Sequence, residues 1–568
     1  SLVGSEMCIR DSFNTVYASF DIWKGIKFAS TFSYDFVMNK SRAWKDPRTS
    51  DGDDDNGRFS KDYNDITNMT WSNILTYQTK IKKKHNLDLL AGYEINSKES
   101  DGLGTTISNF ARWDKPEVNN GVVYQSMGGS NSTTRIVSYI TRANYDYDNK
   151  YYLGASWRTD GSSRLARENR WGNFWSLSGA WRVSSESFMK PLQNWLSDLK
   201  LRVSYGVNGT LPSSYYGYMG LSSLTSNYND NPGIKQSQLE NKELTWETNY
   251  NFNSGIDLGF FDNRLNVTFE YYVRTTKNLL YSRPLSLATG FSSYLANIGK
   301  LQNKGYELEI RSTNIETKDF RWSTSLNLGH NANKILKLDG DLKQVTSGTS
   351  IHKVGLLYST YYMIEFAGID PVDGEPMFYK NTTDENGNLN KETTKDPRSA
   401  EKVILQCADP TITGGLGNSI SYKWFDLNFN VNFSFGAWNY DGAAGKLEHG
   451  GDGTLNIPIY YRKRWQKEGD ETSIERFVVG RSISMTDYAT TRRLYSGDYV
   501  RLKNLTFGFT LPKTWTRKVG IDNIRLYASG NNLLTWAAYD YIDPESGSSP
   551  SWDTPPMRTY TFGLEVKF

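Results

Sequence analysis

Strict two-residue alternation of apolar and polar side chains, held over segments longer than ten residues and repeated from end to end, constrains this chain more than any other property. In "NRLNVTFEYYVRTTK", Leu265, Val267, Phe269, Tyr271 and Val273 share one face, and Arg264, Asn266, Thr268, Glu270 and Arg274 share the other. The segment "ITGGLGNSISYKWFDLNFNVNFSF" does this twice: Leu416, Ile420, Tyr422 and Trp424 fall in one phase, then Phe425, Leu427, Phe429, Val431, Phe433 and Phe435 in the other. A tight turn near Lys423 to Phe425 accounts for the flip. Soluble sheets favour strands of about 5 to 6 residues, whereas a tilted membrane strand needs about 9 to 11. Strand length therefore points to a membrane-spanning wall with one face in lipid.

The connections carry a second, independent regularity. Short links near Lys24 and Gly25, Lys82 and Lys83, Asp148 to Lys150, and Asp262 and Asn263 alternate with long polar segments at 38–65, 97–132, 209–242, 336–410 and 438–495. Outer-membrane barrels have that asymmetry, with tight periplasmic turns and long outer loops. Laid out in this way, residues 14 to 568 hold about 17 strands. The run "YVRLKNLTFGFTLP" shifts phase between Leu502 and Leu505, which reads as a β-bulge.

Composition excludes several alternatives. The net charge of +3 is the difference between 65 basic and 62 acidic residues, so no electrostatic footprint for nucleic acid is present. Cys8 and Cys407 allow at most one bridge, and four histidines lie far apart in sequence. No apolar run is long enough for a spanning helix, yet 14% of the residues are aromatic at a mean hydropathy of −0.61. Aromatic belts at two membrane interfaces reconcile these numbers, with Trp157, Trp181, Tyr205 and Trp424 near strand ends on the apolar face. Trp113 and Trp438 fall in loops and are the candidate ligand contacts.

No paired acid and base or glycine-rich phosphate cradle has recognisable spacing, so catalysis is not expected. The carboxylates of Asp51, Asp53 and Asp55 form the one candidate calcium loop, although the sixth and twelfth positions counted from Asp51 are Asn56 and Asp62 rather than the Gly and Glu of an EF-hand. Lys82 to Lys84 read as a solvated rim. The final run, "MRTYTFGLEVKF", places Tyr560, Phe562, Leu564, Val566 and Phe568 on a lipid face and Thr559, Thr561, Glu565 and Lys567 opposite.

Several blocks together resemble the SusC-like (SusC/RagA) branch of the TonB-dependent outer-membrane transporters of the Bacteroidota. They are "YYLGASWRTDGSSRL" with "SLSGAWRVSSESFM", "LRVSYGVNG", "ELTWETNYNFNSGIDLGFFDNRLNVTFEYYVRTTKNLL", "NIGKLQNKGYELEI", "GDYVRLKNLTFGFTLP", "NNLLTWAAYDYIDPE" and "RTYTFGLEVKF", in that order over residues 133 to 568. The resemblance implies an all-β transmembrane antiparallel barrel of about 22 strands, of which about 17 are in this chain. It further implies import of an oligosaccharide or peptide, a SusD-like lipoprotein lid, and energy from the TonB-ExbB-ExbD complex acting through an N-terminal plug. The closing aromatic strand resembles the signal read by the barrel-assembly machinery. The family's signal peptide, TonB box and plug have no counterpart in this sequence, and "SLVGSEMCIRDS" looks like adaptor read-through. Residues 1–12 are therefore expected to be non-native, and 13–568 to be a partial barrel. The other readings are a secreted β-rich carbohydrate-binding protein and a signalling or passive outer-membrane receptor.

Overall fold

The structure, a computed structural model, describes residues 3–224, 226–229, 231–338, 342–385, 387–448, 450–451, 456–479, 488–539, 541–546 and 556–568. Seventeen long strands belong to one antiparallel sheet. They are β1 (Val3–Trp23), β2 (Ile26–Lys45), β3 (Arg58–Ile81), β4 (His85–Phe110), β5 (Gly121–Tyr147), β6 (Tyr151–Ser162) and β7 (Trp171–Arg182), then β8 (Leu196–Thr210), β9 (Glu247–Phe260), β10 (Leu265–Lys277), β11 (Lys300–Glu316) and β12 (Phe320–Lys337), and finally β13 (Ile412–Tyr422), β14 (Phe425–Phe435), β15 (Tyr499–Thr510), β16 (Asn523–Ala537) and β17 (Thr559–Lys567). No helix among the described residues is long and apolar enough to cross a membrane. The chain divides into two compact units, residues 1–181, 203–252 and 276–298 in the first and 182–202, 253–275 and 299–568 in the second.

In the first unit, the ladders show why alternation dictates the fold. Phe28 faces Leu75 and Phe32 faces Trp71 across β2 and β3, Asn73 leads to Tyr93 on β4, and Tyr93 to Tyr139 on β5. Each strand thus adds its apolar set to the same surface, because a pleat sends every second side chain to one side. The aromatic rings form two levels on that surface. Tyr147, Tyr151 and Trp181 stack near the short turns, with centroids 6.3 and 6.4 Å apart. Farther along, Tyr139 stacks on Trp171 at 6.2 Å and Trp175 lies 5.7 Å from Tyr205. Tyr151 and Gly161, which pairs with Trp171, are ten residues apart on β6, a rise of roughly 33 Å along a strand and about 25 Å for one tilted as membrane strands are. That is the height of an apolar membrane band.

The short turns are built from left-handed residues. Lys82 and Lys83, Asp148 and Asn149, Phe261 to Asn263, and Lys423 all have positive φ, the conformation that matches the right-handed twist of a hairpin. The expected turn between Tyr422 and Phe425 and the expected bulge are both present. Asn430 pairs with Asn504 and Val431 with Leu502, leaving Lys503 as the extra residue.

Strand length departs from expectation on the opposite rim. The segment expected as a loop at 38–65 narrows to 46–57, and that at 97–132 narrows to 111–120, because β2 to β5 continue as paired ribbon. Polar residues on both faces look like a loop in sequence, but a ladder is held by its backbone and persists wherever a partner strand runs alongside. A small cluster of Phe59, Ile107 and Phe110, with Trp44 and Val118, closes the ribbon tip. In the second unit, the 336–410 segment folds into small sheets. Gln344–Ser347, Ser350–Lys353, Thr360–Ile364 and Lys402–Cys407 form one, and Phe366–Ile369, Pro376–Tyr379 and Thr393–Thr394 form another.

Candidate functional site

Two features of the second unit concentrate chemistry: the polar face of the strands and the packed loops beyond their far ends. On β12 to β14 the apolar face carries Leu326, Leu416 and Val431 in cross-strand sequence, and the polar face carries Ser325, Gly417 and Asn430. Even an amide on the apolar side is satisfied: Asn418 Oδ1 accepts from Trp322 Nε1 at 3.0 Å and Thr324 Oγ1 at 2.8 Å, as a lipid-facing polar group requires. The polar face opens into two recesses. One of about 340 Å³ is lined by Asn266, Ser323, Ser325, Ser419, Asn428 and Asn430, with Arg264 and Arg311 at its side. The other, about 630 Å³, is lined by Glu270, Glu307, Glu309, Asn327, Asn432 and Tyr499.

Ion pairs stitch this face across strands. Arg202 on β8 reaches Asp257 on β9 at 2.8 Å and Glu270 on β10 at 2.7 Å. Arg525 on β16 reaches Asp426 on β14 at 2.8 Å and Glu565 on β17 at 3.3 Å. The second bridge passes over β15 at Gly508, where an added Cβ would stand 2.3 Å from Asp426 Oδ1 and 2.7 Å from Arg525 Nη2. Glycine at that position leaves room for the two charges to meet across the intervening strand.

The packed loops form a buried charged and tyrosine-rich hub. Glu475 has no exposed surface; its carboxylate accepts from Arg492 Nη1 at 2.5 Å and from the Tyr461 hydroxyl at 3.2 Å. Glu448 accepts from Tyr460 and lies 3.4 Å from Arg493 Nε. Tyr539 stacks on Tyr495 with centroids 3.8 Å apart and donates to Asp441 at 3.0 Å. Arg501 is only 2% exposed and binds Asp543 at 2.6 Å and Glu545 at 2.7 Å, pinning the 541–546 segment to β15. Lys503, the bulged residue, joins Glu545 at 2.6 Å. Burial pushes the Tyr460 and Tyr461 phenols well up, and the neighbouring carboxylates Glu448 and Glu475 push them further. Burial is the largest single influence on Arg492 and would lower its pKa, but Glu475, Tyr461 and Glu448 together outweigh it and hold the guanidinium above its ordinary value.

The residues singled out from sequence are dispersed. Trp438 pairs with Ser496 and packs on the cluster of Tyr361, Met363 and Leu494, inside the hub. Trp113 lies on the first unit's ribbon tip, half exposed, with the Arg48 guanidinium 3.4 Å over its ring. Asp55 pairs with Arg58 at 2.7 Å, and among the described residues no group of three His, Cys, Asp or Glu side chains gathers as for a metal ion. On β17, Tyr560, Phe562 and Leu564 are exposed, Phe562 at 82%, and Val566 is half exposed; Phe568, just past the strand's end, is 89% exposed. His449 lies outside the described residues. Sequence reasoning passed over Glu475, Arg492, Arg493 and Arg501. Of these only Arg501 had a signal, a charge in the polar phase of a strand just before a bulge.

A wall of long antiparallel strands with an aromatic-banded apolar face, a polar reverse and short turns on one rim defines a β-barrel membrane protein. Residues 10–533 match the family model described as "TonB dependent receptor-like, beta-barrel", and the chain belongs to that family of outer-membrane barrels. It is 32% identical to TonB-dependent receptor P3 of Formosa agariphila over 97% of this chain and 57% of that protein. It is 30% identical to TonB-dependent receptor SusC of Bacteroides thetaiotaomicron over 76% of this chain and 44% of that protein. The solved RagAB peptide transporter superposes with a TM-score of 0.89 at 26% identity, covering all of this chain and 63% of that chain. The chain thus spans about half the length of the curated relatives it matches. Those relatives are TonB-dependent receptors, among them SusC.

Proposed function

We propose that this chain forms the wall and outer loops of a TonB-dependent importer that takes up an oligosaccharide, capped by a SusD-like surface lipoprotein and driven by the TonB-ExbB-ExbD complex. The observation that carries the substrate class is the recess lined by Asn266, Ser323, Ser325, Ser419, Asn428 and Asn430. Carboxamides and hydroxyls both donate and accept, so they match the dense hydroxyls of a sugar chain, and Arg264 and Arg311 at the side add further donors to them. Support for the TonB-dependent reading comes from the SusC relative, a TonB-dependent receptor. Peptide import is the second reading, supported by the likeness to the RagAB peptide transporter. The aromatic row of β17, Tyr560 to Phe568, is the segment assigned here to recognition by the barrel-assembly machinery.

The test is uptake by cells that carry or lack the full-length parent gene, with defined oligosaccharides and peptides as sole nutrients. Loss of oligosaccharide uptake on deletion, and equally on removal of TonB, is expected. Loss of peptide uptake alone moves the assignment to the second reading, and uptake independent of both genes contradicts import.

A further inference from the structure

We propose that residues 121–132, the upper edge of β5, form a docking edge to which the surface lipoprotein adds an extended strand; this rests on the import reading above. β5 pairs with β4 along its whole length, from Tyr147 opposite His85 to Gly121 opposite Phe110. Its other side pairs with β6 only from Ile136 to Tyr147. Above that point the outer side is closed by two contacts: Arg135 exchanges hydrogen bonds with Ser163, and the Thr133 N–H donates to the Tyr216 hydroxyl at 3.0 Å. Among the described residues, no backbone hydrogen bond reaches the outer side of 121–132. Because Thr133 and Arg135 direct their N–H groups outward, the alternation of an antiparallel ladder also turns Asn131, Gly129 and Met127 outward, while Ser130 and Gly128 bond to β4. The bulge at Gln125, where Thr106 faces Ser126 and Ile107 faces Tyr124, ends that register.

The composition of this edge is that of a binding strand rather than a blunted one. From Gly121 to Thr134, "GVVYQSMGGSNSTT", there is no charge and no proline, two of the devices that keep a free edge from pairing, and the bulge at Gln125 leaves 126–132 in one uninterrupted register. Val122, Tyr124 and Met127 are exposed, Met127 at 77%. Twelve residues of free ladder, about 40 Å long, lie beyond the stretch that a membrane strand needs, on the long-loop rim that a lid must cover. A second copy does not fit. Two copies in one membrane point the same way, so rotation about the membrane normal crosses their tilted strands at roughly 80°, twice the tilt, and antiparallel pairing would invert one copy in the bilayer. A glycan cannot satisfy alternating N–H and C=O groups at strand spacing. An extended segment of a neutral-edged extracellular protein can, with backbone bonds supplying affinity and Val122 and Tyr124 supplying selectivity.

The experiment is amide hydrogen exchange on the full-length parent in nanodiscs, with and without the purified lipoprotein encoded beside the parent gene, together with affinity measurements for Asn131→Pro and Met127→Pro. Proline at these positions removes an outward N–H and no bond to β4. The expected result is at least tenfold slower exchange at Met127, Gly129 and Asn131 in the complex, no change at Ser130 and Gly128, and at least tenfold weaker binding by each variant. Binding with unchanged exchange at all three outward amides overturns the edge assignment, even where a variant misfolds. Failure of the lipoprotein to bind the wild-type parent overturns the capped-importer reading instead.

Discussion

The β2–β5 ribbon of the first unit and the loop hub of the second both lie beyond the membrane-length part of their strands, and they are ordered by opposite means. The ribbon carries few buried side chains above its membrane segment; its order comes from continuous backbone ladders, with only the Phe59, Ile107 and Phe110 cluster at the tip. The hub has short strands and much irregular backbone, and its order comes from buried charges that must find one another: Glu475 with Arg492, Glu448 with Arg493, Arg501 with Asp543 and Glu545. A ladder spreads stability over many equivalent bonds, so no side chain is critical. A buried ion network places it on a few groups, each costly to leave unpaired.

Substitutions should therefore separate the two regions. The largest effect is expected for Glu475→Ala, which leaves the buried Arg492 charge with only Glu448, 3.8 Å from its Nε, as an acidic partner, at a cost of about 3 kcal/mol. Limited proteolysis of the parent should then cut within 456–479, while heat-modifiable migration of the barrel is retained. Arg501→Met should cost somewhat less, about 2–3 kcal/mol, because Asp543 and Glu545 keep partial access to water; release of the 541–546 segment to protease is the readout. Alkaline pH should loosen the hub. Tyr460, Tyr461 and Tyr539 have pKa values raised above 10.0 by burial and neighbouring acidic groups. Above about pH 10 the unfolded loop loses phenolic protons that the folded loop retains, so hub stability is full below that pH and falls as pH rises. Hydrogen exchange from pH-jumped samples should show the hub loosening while the ribbon is unchanged. The smallest effect is expected for Val122→Ser on the ribbon, within about 0.5 kcal/mol by thermal melting of the parent alone.

The strand wall was legible in sequence because alternation, turn residues and strand length all derive from one local geometry. Lys423 turned as the phase flip required, and Lys503 bulged where Leu502 and Leu505 fell out of phase. The upper ribbon was not legible: Asp101 to Thr106 and Ser126 to Ser132 have loop composition, and only the pairing partner reveals a strand. The hub was illegible for another reason. Glu475 and Arg492 lie in segments with no period, and their pairing follows from tertiary placement that no local spacing encodes. Trp438 was singled out for its place in a loop, and its packing, partly buried, on the cluster of Tyr361, Met363 and Leu494 was not legible there. The Asp51 segment drew notice for its carboxylates, and the pairing of Asp55 with Arg58 is another contact that sequence spacing did not indicate.

The central claim is that each strand divides a lipid face from a polar face, and β14 tests it most directly. Single cysteines placed from Asp426 to Ser434 in the full-length parent, reconstituted in lipid, can be scored for reaction with a membrane-impermeant thiol reagent and for quenching by a lipid-phase probe. The account predicts alternation: Asp426, Asn428, Asn430 and Asn432 reactive from water, and Leu427, Phe429, Val431 and Phe433 quenched from lipid. Uniform water reactivity along the strand would contradict it.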